Sequence, residues 1–569
     1  MMRNNLPLPA LGKHALLGTV LGLVCLSAAA QNNNPVRDPN DQLLREQQER
    51  LRQELLEQNA AGKIQQDSQP TAPAADDSAF PAGIPTTGPS FDIRHIQATG
   101  DSSLLSARAF DRITQPFLNH ALAVEHINVL LDRINKALIQ AGYTTSRAYV
   151  GGQNLKEGVL SITIVAGRIE AIVFNGAPAT SVGAWLAMPM QEGDVLRLRD
   201  IEQAVDQFNR LRRNNVQVLI KPGQTNGGSI VEFVNKEGPA ARYNLGIDNQ
   251  GSSNTGRARI QAGVDLGNVL GLMESITLGL TSSKETNAIY GLVSVPWGYN
   301  TVSAVASISE YQNLIGDTAL VYGRSKNFSL SLNRLLARDQ NSKTALDISL
   351  SKRESTREVN NFALTPQAQT SLRVGVNRLT RFDTALGAGQ WTVDVGFSRG
   401  LPILGADKDA DDLPKEAARY QFSKLDAAVS LDRPVAERLV YRSRISALWS
   451  HQPLYSSEQL FAGGVSSVRA YPESFLGGDQ GLVWRNELAL AKTQPLWGSA
   501  RYEPYVFADA AILRTVSDKR SRSIAGLGAG ARIAYQGAFA DLQLGRALRS
   551  PDGYEKQGWR VNASLTYQF

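Results

Sequence analysis

The sequence predicts two α+β modules of βααββ order followed by an all-β, 16-stranded transmembrane β-barrel. Three observations carry this. The βααββ pattern occurs twice in succession between residues 90 and 240. From Ala241 onward helical periodicity disappears, and short alternating runs follow one another to an aromatic C-terminal residue. Finally, the only long apolar run, Ala15 to Leu26, is shorter than the roughly 20 residues a membrane-spanning helix needs.

The elements follow in order. Arg3 and Lys13 form a basic segment, Ala15–Leu26 an apolar one, and Ala28-Ala29-Ala30 a small-residue cleavage site, so residues 1–30 read as an export signal. Val24 before Cys25 argues against a lipoprotein signal. The chain has 569 residues, a formal charge of +6 and one cysteine, which lies inside that signal. Residues 31–569 then carry 57 − 53 = +4 and no thiol, so folding rests on burial or barrel closure. So dilute a charge gives no argument for nucleic acid.

Residues 31–58 are expected to hold a helix: Asp38-Pro39 offers an N-cap and first-turn pair, and Leu44, Leu51 and Leu55 make a narrow apolar stripe on a polar rod. Residues 59–89 lose periodicity and collect five prolines, the signature of a flexible linker.

The first module, 90–167, opens with the alternating run FDIRHIQATG (91–100). Helical stretches follow near 104–117 and 124–142, the latter with Ile127, Leu130, Leu131, Ile134 and Leu138 on one face, and strands 147–150 and 159–165 close it. The second module, 168–240, repeats the order: RIEAIVFNG, helices near 182–188 and 200–212, then VQVLI and SIVEFV.

In the last segment, 241–569, alternation is plainest at WRVNASLTYQF (559–569). There Trp559, Val561, Ala563, Leu565, Tyr567 and Phe569 share one face, and Arg560, Asn562, Ser564, Thr566 and Gln568 the other. One apolar and one polar face per strand suits lipid outside and water inside. Sixteen strands would leave about 20 residues for each strand and turn, enough for membrane strands of about 10.

No catalytic constellation is present. The five histidines are scattered, no HExxH occurs, and no thiol remains after position 25. GLGAG (526–530) lacks the Lys-Ser/Thr of a phosphate loop and lies among strands, where small residues serve packing. The expectation is a protein that is not an enzyme and holds no cofactor or metal.

Several stretches carry a family resemblance. DQFNRLRRNNVQVLIKPGQTNGGSIVEF (206–233), with Phe208-Asn209, resembles the Leu-Asn helix and following strands of a second POTRA domain. ARYNLGIDNQGSSNTGRARIQAGVDLGNVLGLMESITLGL (241–280) resembles a first barrel hairpin with its Asp-Asn-x-Gly and Thr-Gly-x-x-Arg signatures. FAGGVSSVRAYPES (461–474) resembles a long extracellular loop whose Val-Arg-Gly-Tyr/Phe tip is here Val468-Arg469-Ala470-Tyr471. YVFADAAIL (505–513) resembles the Phe-x-Asp strand motif, here Phe507 and Asp509. Together they resemble the TpsB family of two-partner secretion, in the POTRA-plus-barrel superfamily.

The resemblance implies POTRA 1 at 90–167, POTRA 2 at 168–240, a loop at about 450–485 folding into the lumen, a helix at 31–58 that plugs the barrel, and pairing of Arg469 with Asp509. It implies that Phe569 is read by the barrel-assembly machinery. Alternation supports the pair independently, because positions 505, 507 and 509 share a face and a carboxylate is disfavoured toward lipid. Ala470 departs from the usual Gly, which would be strained if the position required positive φ, and Ala547 stands where relatives often carry Pro. The implied function is recognition of an unfolded exoprotein by the POTRA domains and its export through the barrel. Outer-membrane lipid and lipopolysaccharide would surround the barrel. Alternatives are a barrel-assembly insertase of the same superfamily and, less well matched to two periplasmic modules, a porin or receptor.

Overall fold

The structure is a computed structural model. It describes residues 79–81, 83–315, 318–339, 341–490, 494–495 and 499–569. The predicted export signal 1–30, the predicted helix 31–58 and most of the linker lie outside the described residues.

The predicted linker 59–89 needs correction at its end. Phe80 does not behave as linker: its ring stacks on His120 at 4.2 Å and on His126 at 5.1 Å, against POTRA 1. Thr87 donates its backbone N–H and its hydroxyl to Glu125. An aromatic side chain among prolines and polar residues has apolar surface to bury, and this module supplies the place.

In POTRA 1 the first predicted strand divides at Arg94. Phe91–Ile93 pairs with the short strand His120–Leu122, while His95–Gly100 runs parallel to Val159–Val165, which also pairs with Arg147–Tyr149. The break is fixed by one carbonyl, Gly158 O, which accepts from the N–H groups of both Arg94 and His95. Helix α1 (Ala107–Thr114) is capped by Ser106 Oγ, which accepts from the Ala109 N–H. Helix α2 (Val124–Gln140) buries Ile127, Leu130, Ile134 and Leu138 against the sheet.

POTRA 2 is a four-stranded sheet in the order Ala177–Pro178, Arg168–Phe174, Gly228–Asn235, Val216–Pro222. Helices α3 (Val182–Ala187) and α4 (Leu198–Asn209) cover one face of it. Helix α4 starts and ends two to three residues earlier than the sequence suggests.

The remaining chain closes a 16-stranded antiparallel barrel. Its first strand, Ala241–Asp248, pairs with its last, Trp559–Gln568, from Asn244 opposite Gln568 to Asp248 opposite Ser564. Tyr243 and Phe569 exchange both backbone hydrogen bonds, at 2.9 and 3.0 Å, and their rings stack at 5.5 Å. The strands are unequal: the third and fourth join after Ser283, whereas the sixth, Ala319–Arg338, has 20 residues. The long loop spans 450–479. Its expected end at 485 is too late, because the twelfth strand begins at Gln480 and pairs there with Trp449.

Helix α4 lies on the periplasmic rim of the barrel. Asp206 binds both Arg338 and Lys343, and Glu202 receives Arg338 Nε at 2.7 Å. Burial holds the Glu202 carboxyl above the usual carboxylate range, against the pull of Arg338. Gln207 donates to the carbonyls of Gly298 and Asn300 at 2.9 and 3.0 Å. Arg210 reaches the hydroxyls of Ser275 and Ser294 and the carbonyl of Met273, and burial lowers its guanidinium to about 10. The joint is thus a polar interface in which most charges have fixed partners.

Candidate functional site

The site forms where the long loop meets the lumenal face of the twelfth to fourteenth strands. The thirteenth, Arg501–Arg514, follows the period of two: Tyr505, Phe507 and Asp509 are buried inside, whereas Val506 and Ile512 are 53% and 52% exposed outside. The fourteenth, Ser521–Tyr535, supplies Gly526, Gly528 and Gly530 on the same inner face. A Cβ at Gly528 would sit 2.4 Å from the Phe507 ring, and one at Gly530 would sit 2.5 Å from the Tyr505 ring. GLGAG is therefore a shelf over which two aromatic rings lie flat.

The loop descends into this surface and turns at its tip, where Tyr471 N–H donates to Val468 O. Arg469 is 1% exposed. Its Nε and Nη2 donate to the two oxygens of Asp509, each at 2.9 Å, and its own backbone N–H adds a third bond to that carboxylate. Nη1 donates to Glu487 Oε2 at 2.7 Å and Nη2 to the Asn486 carbonyl at 2.9 Å. The guanidinium carbon lies 4.0 Å from the Phe507 ring centroid. A planar fork meeting a carboxylate edge-on while stacking on a ring is geometry an ammonium cannot reproduce.

The neighbours of the tip are fixed in turn. Val468, Ala470 and Tyr471 are all buried. Tyr471 donates its hydroxyl to the carbonyls of Ala525 and Arg549. Ala470 is not among the residues with positive φ, so its side chain carries no backbone strain there. Its Cβ instead occupies the space opened by Gly526, where an added Cβ would approach it to 2.5 Å, and by Gly545, where the distance would be 3.2 Å. Asn562 Nδ2 donates to the Arg469 carbonyl at 3.0 Å. Ala547 takes part in backbone pairing: its N–H donates to Gly558 O.

Glu487 belongs to a wider network. It also receives Arg442 at 3.0 Å and Arg532 at 2.7 Å, and both of these arginines reach Glu503 at 2.7 Å. Three guanidiniums thus face Asp509, Glu487 and Glu503. The charged contacts are joined by apolar ones: Val468, Ala470, Tyr471, Phe475 and Leu476 of the loop form one buried cluster with Val483, Ala511, Leu513 and Ile524 of the wall. At the loop base Asp479 accepts from the Leu454 and Val516 N–H groups and from Gln459.

The structure brings Val468, Arg469, Ala470 and Tyr471 together with Phe507 and Asp509. Phe208 and Asn209 lie elsewhere. Phe208 is in the POTRA 2 core, 5.3 Å from Phe174 and 5.2 Å from Phe233. Asn209 exchanges two hydrogen bonds with the Val216 backbone, joining α4 to the edge strand. Phe569 sits at the periplasmic closure of the barrel, 61% exposed. Sequence reading missed Glu487, Arg442, Arg532, Glu503 and Asn562. Strand alternation placed Asn562 on the polar face of the last strand, and the pairing of the others needed the register between strands.

Comparison with known proteins agrees with this fold. A family model described as haemolysin secretion/activation protein ShlB/FhaC/HecB matches residues 227–533. A POTRA domain matches 168–222 and a ShlB-type POTRA domain 91–167. The outer membrane transporter CdiB of Escherichia coli O6:K15:H31 is 33% identical over 466 residues, 79% of this chain and 77% of that protein. The hemolysin transporter protein ShlB of Serratia marcescens is 27% identical, covering 91% of this chain and 92% of its own. The structure of CdiB from Escherichia coli superposes with a TM-score of 0.84 at 28% identity, over 94% of this chain and all of that one. CdiB from Acinetobacter baumannii shares the fold with a TM-score of 0.79 at 19% identity, over 94% of this chain and all of that one. The chain belongs to the ShlB/FhaC/HecB haemolysin secretion/activation family of outer-membrane transporters.

Proposed function

We propose that this chain captures an unfolded exoprotein in the periplasm and passes it through its barrel, with the tip at Arg469 acting as the removable lock of the lumen. The observation that carries the reading is the tip itself: a buried arginine held by two carboxylates and a carbonyl of the wall. Docked, the loop narrows the lumen; released, its partners remain solvated inside a polar pore, so opening does not expose charge to lipid.

Capture would use the POTRA sheets. Val216–Pro222 and His95–Gly100 are edge strands, each paired on one side only, and an extended polypeptide can add to such an edge through its main chain. The modules supply binding and not bond chemistry, so the reading is of a transporter that is not an enzyme and needs no cofactor. The partner is a secreted exoprotein of adhesin, cytolysin or toxin type. Folding of that partner outside the cell would draw the chain outward. The helix at 31–58 would withdraw from the lumen before transit, Phe208-Asn209 would keep POTRA 2 and its edge strand in register, and Phe569 would present the C-terminal strand to the barrel-assembly machinery.

The test is secretion of a genomically adjacent large exoprotein in cells lacking this chain. Loss of the extracellular partner, restored by the wild-type chain, is expected; undiminished secretion would overturn the reading. An insertase would instead leave other barrels depleted from the membrane, which heat-modifiable migration of those barrels detects.

A further inference from the structure

The lipid-facing surface of the sixth to ninth strands has a feature that export does not use. On each of these strands three consecutive outward positions are apolar, for example Phe328, Leu330 and Leu332 on the sixth, and Phe397, Val395 and Val393 on the ninth. The outward position immediately beyond this band, toward the extracellular end, is Lys326 on the sixth strand, Lys352 on the seventh and Arg399 on the ninth. Lys326 and Arg399 are exposed, and Lys326 stands in register opposite Glu354. Lys352 reaches Glu354, one outward step further out, at 2.7 Å and keeps its side chain 30% exposed.

These cations lie at one height. Membrane strands tilt by about 35–45°, so a level line shifts by about one residue per strand. The strand ends show its direction: the sixth strand begins at Ala319, whereas Gly400, ending the ninth, pairs with Ser371, which pairs with Ser351, which pairs with Ser329. Lys352 lies two residues from Glu354, the register partner of Lys326; on the eighth strand Lys352 faces the buried Thr370, and Arg399 lies two residues from Leu401, which pairs with Thr370, so the row shifts four residues over three strands. With strands about 4.8 Å apart and the offset along them at about 3.3 Å per residue, the row is about 20 Å wide. The third and fourth strands end differently, on the neutral pair Ser282 and Asn287, joined at 2.7 Å.

We propose that Lys326, Lys352 and Arg399 form a docking surface for the phosphorylated headgroup of an outer-leaflet glycolipid, with its acyl chains against the apolar band below. The height selects the headgroup layer. The charge selects an anion, and the width suits a headgroup with more than one phosphate. The surface faces lipid, away from the lumen, so it serves seating of the barrel and not passage of cargo.

The experiment uses the full chain, purified in detergent, with native mass spectrometry as the readout. The probes are a bis-phosphorylated lipid A, the same lipid without phosphates, and phosphatidylethanolamine. The wild-type chain is expected to retain lipid A in preference to both controls. Each basic side chain near an anionic surface contributes a factor of about five, so Lys326→Gln/Lys352→Gln/Arg399→Gln should weaken retention by roughly 100-fold. Heat-modifiable migration verifies that the variant is folded, and the single variant Arg399→Gln provides a milder second case with about a fivefold loss. Equal retention of lipid A with and without phosphates overturns the proposal, as does wild-type retention by the folded triple variant.

Discussion

Replacing Arg469 with alanine tests the lock at its centre. In the docked state this change removes four side-chain hydrogen bonds and leaves the Asp509 carboxylate, 0% exposed, with only backbone donors from Asn486 and residue 469. Glu487 suffers less, because Arg442 and Arg532 remain on it. Removing one member of a buried ion pair costs about 3–5 kcal/mol, and the shared load on Glu487 places this case near the lower end. At about 1.4 kcal/mol per decade, the undocked fraction should rise by at least about 100-fold. The single cysteine, Cys25, lies in the predicted export signal, so Val468→Cys, fully buried when docked, is a clean reporter of tip exposure. Thiol labelling in the Arg469→Ala background should accelerate by the same factor, while the barrel stays inserted. Lysine at 469 should fall between, because one ammonium cannot bond both oxygens of Asp509 and Glu487 together. An unchanged labelling rate in Arg469→Ala refutes the account of the lock.

Other predictions follow from neighbouring contacts. Gly526→Ala places a Cβ 2.5 Å from that of Ala470, so it should raise Val468→Cys labelling without touching any charge. Asp206→Ala removes the carboxylate that Arg338 and Lys343 share at the POTRA 2 joint while Arg338 keeps Glu202, so the loss lies near the lower end of the about 3–5 kcal/mol for a buried pair, and hydrogen exchange in α4 should increase. Glu170 accepts from Thr225 and Gln224, which hold its carboxyl below the ordinary value of 4.5. Its folded value being depressed, its contribution is complete above that ordinary value and is lost as pH falls through the depressed one. Protection of the Thr225 amide should therefore decline only in that acid window, and not in Glu170→Gln.

The fold was legible because its two grammars differ. The period of 3.6 in α2 and the period of two in 559–569 each survive as burial patterns in the structure. Less legible was whatever depends on a distant partner. Phe80 looks like linker because nothing within ten residues of it reveals His120 and His126. The break at Arg94 depends on Gly158 O, more than sixty residues away. At the site, alternation placed Asp509 indoors, but Glu487 meets Arg442 and Arg532 through registers that no local pattern specifies. Ala470 shows the same limit from the other side: its fit is written in Gly526 and Gly545, not in its own neighbours.

The most direct measurement of the central claim is translocation by the purified chain reconstituted in liposomes. An unfolded exoprotein partner is presented on the POTRA side, with no nucleotide and no other protein. The account predicts protease-protected partner inside the vesicles, abolished when the tip is held to the wall by an engineered crosslink. Complete digestion of the partner, with the chain inserted in the matching orientation, would contradict it.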